Sequence, residues 1–594
     1  MRLSKVSVRN FRSIARLENV GIQPVQALVG ENNCGKSNLL RAIKCFLTPG
    51  AGGADAQDFR DPQQRILIEC EFSDLVAHER QRLRPYLLGD RVILRKELWL
   101  SADERGRQQV KAEYHGYQAE PADVRYSVTK LEAAEGRVHW GRAAEAAGLA
   151  AESTGPDGKV TKASFARALE HYLSQNEVEY DRPTLGATQA LGIPQNLLAS
   201  LPQFFLLPAI TDYSNEIDKR SSTTVFRQLM ADLSERLLRT DPQFAEVERA
   251  LERVKGLFNG DAAAGARLAA LGTVESEIRD LARCLMPSVN AVSLSVEIDP
   301  PKDIFSKGIA IRVDDGVMTD VLDKGNGLQR TLIFALLQLL IRAGKARAPA
   351  GRSRPIFLAI EEPELYIHPH CQRLIFNVLR AFAGDGQEEP VSADQVLYTT
   401  HSPAFVDVAD YHRICVLRKL DAATGTVAKQ CPEGVLGDPD ERKAFKILTS
   451  FGLRHNEVFF ARDAVLVEGE EDAIAVIATA RKLGRIRELP EEIGLSIVVG
   501  DGKGELAKFQ KILNAFDLKY GVLLELDGKP EEDKQNAPIL ENLSGNRVSR
   551  LPKKLETLLG IGHFEDVRHA KRFFADPNNI SAELEGVVAA LLPV

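Results

Sequence analysis

Residues 30–37 read Gly-Glu-Asn-Asn-Cys-Gly-Lys-Ser, a glycine, four residues and then Gly-Lys-Ser, which is the pattern of a phosphate-binding loop. Ahead of it the run Val25-Gln26-Ala27-Leu28-Val29 predicts a buried strand, and behind it Asn38 to Ile43 opens a helix. Strand, glycine turn and helix gather backbone N–H groups at a helix N-terminus, where they cradle phosphate oxygens. Lys36 is placed to reach the β- and γ-phosphates, and Ser37 to offer its hydroxyl to Mg²⁺. Gly30, Asn33, Gly35, Lys36, Ser37 and Asn38 are thus the expected contacts to ATP.

The rest of the segment 1–100 supplies strands, such as Arg65 to Phe72 and Arg91 to Leu98, but no acid to activate water. Such acids appear only after an Ala-, Glu- and Arg-rich stretch, 101–290, read as a helix-rich insertion. Within it Phe204-Phe205-Leu206-Leu207-Pro208 is strand-like, and Arg227 to Leu257 carries an amphipathic helical stripe that is either core or part of a dimerisation element at about 216–288. In 291–425, Lys324-Gly325-Asn326-Gly327-Leu328-Gln329-Arg330 precedes an apolar helix from Thr331 to Arg342. The apolar strand Ile356 to Ile360 then runs into Glu361-Glu362-Pro363-Glu364, and the strand Gln395 to Thr400 ends in His401-Ser402-Pro403.

Two adjacent carboxylates at a strand end raise each other's pKa unless they face a cation or a proton to be moved. Beside a phosphate loop, Glu361 suits the Mg²⁺ shell and Glu362 suits orienting the attacking water. His401 is suited to contact the γ-phosphate or the water, and the glycine-rich 324–330 segment offers a second nest for phosphate.

Composition narrows the alternatives. The chain has 594 residues, enough for about three or four domains. A net charge of −7 gives no whole-chain basic signal for nucleic acid, so contact with DNA must come from a local patch. The seven cysteines show no CxxC spacing, which points to reduced thiols in a cytoplasmic protein. Apolar runs stay short of the roughly 18 residues of a membrane span, so no membrane partner is expected.

Together these motifs resemble the ABC-type ATPase head of the RecF, SMC and OLD (overcoming lysogenisation defect) group. The resemblance implies that Gly325, Gly327 and Gln329 close the nucleotide site of a second chain, and hence a homodimer. The signature here is not Leu-Ser-Gly-Gly-Gln, and Glu361 stands where Asp is commonest.

The segment 426–594 carries separate chemistry. Ala464 to Val467 is a short apolar strand ending in Glu468-Gly469-Glu470-Glu471-Asp472, followed by a helix. Strand, glycine turn and helix repeat at Leu495 to Phe516, and a third strand, Gly521 to Leu526, brings Glu525 and Asp527. The alternation predicts a small Rossmann-like parallel sheet with ligands at the carboxyl ends of its strands. Glu525 and Asp527 leave one face of a strand, and Glu468 and Asp472 come together where a helix begins. Four convergent carboxylates call for hard divalent cations, Mg²⁺ or Mn²⁺, and a pair of such ions suits phosphodiester cleavage.

This arrangement resembles a Toprim domain. The resemblance matches Glu468 to its glutamate, Asp472 to its helix-borne acid and Glu525 with Asp527 to its Asp-x-Asp pair, the first Asp being Glu here. It also implies a metal-site role for Glu556 in Leu551-Pro552-Lys553-Lys554-Leu555-Glu556, with Lys554 or Lys571 neutralising developing charge. An α/β chain with an ABC/SMC-like ATPase head, a helical insertion and a following Toprim domain is similar to the OLD family. That likeness implies a metal-dependent DNA endonuclease under ATP control, in phage defence or DNA repair. Two other readings remain open: a RecF-like DNA-binding ATPase with a degenerate Toprim domain, and an ATP-responsive sensor that recruits a co-encoded partner protein.

Overall fold

A computed structural model describes the chain except residues 84–85, 103–107, 119–120, 156–157, 177, 180, 182–183, 188–199, 210–241, 260–266, 286–289, 292, 295–310, 347–354, 386–393, 422, 438–444, 446–453, 501, 527–533 and 594. Uninterrupted apolar runs become strands buried on both faces. Val25–Val29, Ile356–Glu361 and Gln395–Thr399 are buried at every position. These three form the middle of a six-stranded sheet, whose order runs Thr426–Gln430, Ile414–Lys419, Val25–Val29, Gln395–Thr399, Ile356–Glu361, Gln203–Leu207. All neighbours pair in parallel except the hairpin of Ile414–Lys419 with Thr426–Gln430. Burial on both faces is the expected state of parallel strands covered by other layers.

Alternation along each strand feeds two cores. Leu28, Phe357, Ala359 and Leu397 point to a core shared with the phosphate-loop helix Lys36–Leu47 and an antiparallel sheet that includes Arg2–Phe11, Ile66–Ser73 and Arg91–Ala102. Arg2–Phe11 and Ile66–Ser73 alternate in their burial, as strands with one wet face do. Val25, Ala27, Val29, Leu358 and Ile360 point to the other core, which continues without a break into Leu466, Val498, Val522 and Leu524 of the C-terminal sheet. That sheet is fully parallel, in the order Leu495–Val499, Asp463–Val467, Tyr520–Glu525, Arg547–Leu551. Its opposite face packs under the helices Glu470–Lys482, Val567–Phe573 and Ala582–Leu591.

The structure moves the boundaries expected from sequence. Gln108–Gln118 and Thr184–Ala187 extend the antiparallel sheet, so the insertion does not begin at 101. Gln203–Leu207 pairs in parallel with Ile356–Glu361, so the central sheet resumes well before 291. The run 204–208 reads as a strand from sequence, but its place in the central sheet depends on pairing with a partner more than 140 residues away. The edge at 425 falls one residue before Thr426–Gln430, which completes the same sheet. In the proposed dimerisation segment, helices Pro242–Asn259 and Ala269–Leu285 are described, whereas 216–241, 260–266 and 286–288 lie outside the described residues. Among the described residues no helix is long and apolar enough to cross a membrane.

Candidate functional site

Gly30 opens the phosphate loop at φ +142, where a Cβ would lie 2.1 Å from the Leu417 carbonyl oxygen. Gly35, at φ +110, abuts Ser13 and Thr426, and Asn33 is left-handed at φ +61. The loop therefore turns tightly against the neighbouring strand and delivers Lys36 and Ser37 as the first residues of their helix. Lys36 is buried, and its Nζ donates to the Gly30 carbonyl at 2.8 Å and the Glu31 carbonyl at 3.0 Å. Burial holds its pKa below the usual lysine value, against the opposing pull of Cys34, Glu362 and Glu364. Asn38 donates to the Ser13 hydroxyl at 2.8 Å, so in this arrangement its side chain braces the loop.

The two acid positions sit differently. Glu361 ends its strand buried, with Oε2 accepting from the Ala209 N–H at 3.2 Å and Oε1 without a hydrogen-bond partner among the described residues. An orphaned carboxylate oxygen beside a phosphate loop fits a cation such as the Mg²⁺ of a nucleotide. Glu362 is half-buried and left-handed at φ +46, and its N–H donates to Thr399 of the adjacent strand. His401 keeps part of its ring open to solvent; partial desolvation of the rest and then the Lys36 charge hold its pKa below the ordinary histidine value, with Glu362 opposing.

Two residues escaped the sequence reading. Glu364 accepts from the His401 N–H at 2.6 Å and from the Thr400 hydroxyl at 2.9 Å, and so fixes the histidine turn. Burial raises its pKa, with those hydrogen bonds opposing. Arg330 is buried and donates to the carbonyls of Glu361 and Glu362. A third acid after Pro363, and an arginine opening an otherwise apolar helix, were the available signals.

The 324–330 segment differs in part from expectation. Its helix starts at Asn326, earlier than Thr331. Gly325 is exposed and uncrowded, as a contact for another chain requires. A Cβ on Gly327 would lie 2.6 Å from the Tyr366 carbonyl, so this glycine serves packing within the chain. Gln329 is 2% exposed and donates inward to the carbonyls of Val321 and Lys324. In this arrangement Gln329 is not offered to a second chain, because the helix start turns it into the core.

At the C-terminal sheet, Glu468 follows its strand and Asp472 opens the next helix, with the Gly469 N–H donating to Asp472 Oδ2 at 3.0 Å. Asp472 is buried, and its carboxyl is pushed well above the usual range by burial first, then by Glu525, Glu468 and Glu471. Glu525 ends its strand beside it, and Oε1 accepts from the Leu555 N–H at 2.8 Å. That bond ties Glu525 to the short helix that carries Glu556. Buried, mutually repelling acids fit a divalent cation. Among the described residues, however, no three His, Cys, Asp or Glu side chains form a ready metal cluster. Asp527 lies outside the described residues. Lys554 and Lys571 are both exposed. Lys503, not singled out from sequence, is buried and donates to the Glu525 carbonyl at 3.1 Å.

Comparison with known proteins agrees with this division. Residues 1–406 match the family described as AAA ATPase domain. The chain belongs to that family. Residues 459–527 match the TOPRIM domain described as overcoming lysogenization defect protein-like, so this AAA ATPase domain protein carries an OLD-like TOPRIM domain. It is similar to the Old nuclease of Escherichia phage P2, 24% identical over 546 residues that cover 89% of this chain and 77% of the relative. It is also similar to the OLD nuclease of Thermus scotoductus, 26% identical over 256 residues, 40% of this chain and 45% of that one. The SMC head domain from Thermotoga maritima aligns with 73% of this chain and 100% of its own at 12% identity, but a TM-score of 0.27 is too slight a likeness to bear on the fold.

Proposed function

We propose that this protein is an ATP-binding, divalent-metal-dependent DNA endonuclease whose ATPase controls cleavage or assembly. One observation carries the reading: the phosphate-loop sheet and the TOPRIM sheet whose strand ends bear the acids share a single continuous core. The names of the two nuclease relatives support it.

At the nucleotide site, the backbone of 30–37 and Lys36 would hold the phosphates, and Ser37 with Glu361 the Mg²⁺. Glu362 would orient the attacking water and accept its proton, with His401 beside the γ-phosphate. At the second site, Glu468, Asp472, Glu525, Asp527 and Glu556 would hold Mg²⁺ or Mn²⁺. Such ions, when bound, supply charge stabilisation to the attacking and leaving oxygens of a phosphodiester. Lys554 or Lys571 would meet the charge that develops on the DNA phosphate. A homodimer would bring the exposed Gly325 end of one chain to the phosphate loop of the other, and defence against phage or DNA repair is the setting.

The test is plasmid cleavage in Mg²⁺, Mn²⁺ or Ca²⁺ by wild-type protein and Glu468→Ala. Nicking that depends on metal and is lost in the variant is expected. Failure of the wild type to cut under any of these conditions overturns the nuclease reading. A second reading, a DNA-binding ATPase with a degenerate TOPRIM domain, draws on Glu525 standing where the Asp-x-Asp pair has its first Asp. It predicts ATP-dependent DNA binding without cleavage.

A further inference from the structure

Arg330 heads the fully buried large side chains among the described residues, at 1% exposure. It stands on the second turn of the helix Asn326–Ala346 and reaches across to the acid turn. Nη2 donates to the Glu361 carbonyl at 2.8 Å and to the Glu362 carbonyl at 2.7 Å, and Nη1 reaches the Leu365 carbonyl at 3.4 Å. Between these contacts Glu362 holds φ +46, a strained backbone state for a non-glycine residue that persists only where its surroundings enforce it. On its other side the Glu362 N–H is held by the Thr399 carbonyl at 2.9 Å and hydroxyl at 3.1 Å. Both peptide planes of Glu362 are therefore clamped, the one before it by Arg330 together with the neighbouring strand and the one after it by Arg330.

We propose that Arg330 is a positioning residue for ATP hydrolysis, which clamps the Glu361 and Glu362 carbonyls so that the Glu362 carboxylate stays fixed beside Lys36. The proposal rests on the ATPase reading and deepens it. The guanidinium spreads its donors over one plane, Nη2 to the Glu361 and Glu362 carbonyls and Nη1 towards Leu365, an arrangement that a single ammonium nitrogen does not reproduce. The same helix begins at the glycines 325 and 327, and Gly327 lies against the Tyr366 carbonyl just past the acid turn. Direct contacts thus join the glycine end of the helix to the turn that carries the water-directing acid. Arg330 itself lies on the carbonyl side of the turn, so its loss should affect turnover and leave nucleotide affinity in place.

The experiment uses the full chain with Arg330→Lys and Arg330→Met, following steady-state hydrolysis of Mg²⁺-ATP, affinity for a fluorescent ATP analogue, and melting temperature. The expected result is a fall in kcat of about tenfold or more for Arg330→Met, partly restored in Arg330→Lys, with Kd within about threefold of wild type. A folded variant with wild-type kcat overturns the proposal, as does a loss of affinity that matches the loss of turnover. Failure of both variants to fold also overturns it, because that assigns Arg330 to stability alone. Absence of hydrolysis by the wild type removes the ATPase reading and this proposal together, whereas wild-type turnover with unchanged variants removes only the proposal.

Discussion

Lys36 is a buried cation held by two carbonyls of its own loop, ready to exchange them for phosphate oxygens. Each hydrogen bond to a charged group is worth about 1.5–3 kcal/mol. Lys36→Ala is therefore expected to weaken ATP binding by about 100-fold. Titration with a fluorescent nucleotide measures this, and unchanged affinity would remove Lys36 from the site. His401 yields a pH expectation. Burial and the Lys36 charge lower its pKa, and Glu362 opposes them, while Glu364 holds its backbone N–H. A histidine lowered in the folded state stays neutral down to its folded pKa, below the ordinary value of about 6.5. Hydrolysis that needs the neutral ring should stay level from pH 8 to about 6.5 and decline only below. Folding stability follows the same sign, since the unfolded chain binds more protons between the two pKa values and stability rises with pH there. An acid limb centred above 6.5 would count against a neutral His401.

The phosphate-loop helix owes its place to contacts at both ends. At its C-terminal end the fully buried Lys96 donates to the Cys45 carbonyl at 2.6 Å and the Thr48 carbonyl at 2.7 Å, and lies 4.8 Å from the Tyr114 ring centre. These bonds tie the helix to the strand Arg91–Ala102 of the antiparallel sheet. Tyr114 gives its single hydroxyl proton chiefly to the Phe46 carbonyl, so Lys96→Met leaves the Cys45 and Thr48 carbonyls wanting. A loss of about 2–4 kcal/mol is expected, the cost of leaving two buried carbonyls unpaired. Chemical denaturation measures it, and a change under about 0.5 kcal/mol would show that the helix does not depend on this clamp. At the N-terminal end, Gly30→Ala places a Cβ on the Leu417 carbonyl and demands a positive φ. That strain of about 1–3 kcal/mol should lower both the melting temperature and ATP affinity. Such glycines are readable in a motif, but what they abut is not: Leu417 is distant in sequence and meets Gly30 only because their strands pair.

The whole molecule turns on how the two sheets are joined. Asn456, 2% exposed, donates to the carbonyls of Pro403 and Val406 and accepts from the Val408 N–H, just after the histidine turn. On the next residue towards the N-terminus, His455 meets the Val499 carbonyl at the end of a TOPRIM strand. Phe459 stacks edge-on against Phe516 inside the shared core. A core common to both sheets predicts one cooperative unfolding transition. Saturating ATP should raise it by mass action, about 2.7 kcal/mol at a concentration 100 times Kd, and Lys36→Ala should abolish the shift. Two calorimetric transitions, only one of them responsive to ATP, would overturn the shared core.

What the sequence determined by itself was local: the phosphate loop, the acids at strand ends, and the strand-turn-helix units that present them. Each rests on backbone chemistry within a few residues, where glycine, apolar alternation and carboxylate spacing act directly. The order of these units also carried the resemblance to the OLD group. Only the tertiary structure decided that Gln203–Leu207 is a strand of the central sheet, that Gln329 turns inward and that Arg330 clamps the acid turn. Those outcomes depend on partners far along the chain, such as Ile356–Glu361 for Gln203–Leu207, and no local pattern encodes which surfaces meet. The joining of the two sheets was hidden for the same reason, since a buried face announces that it will be covered but not by what.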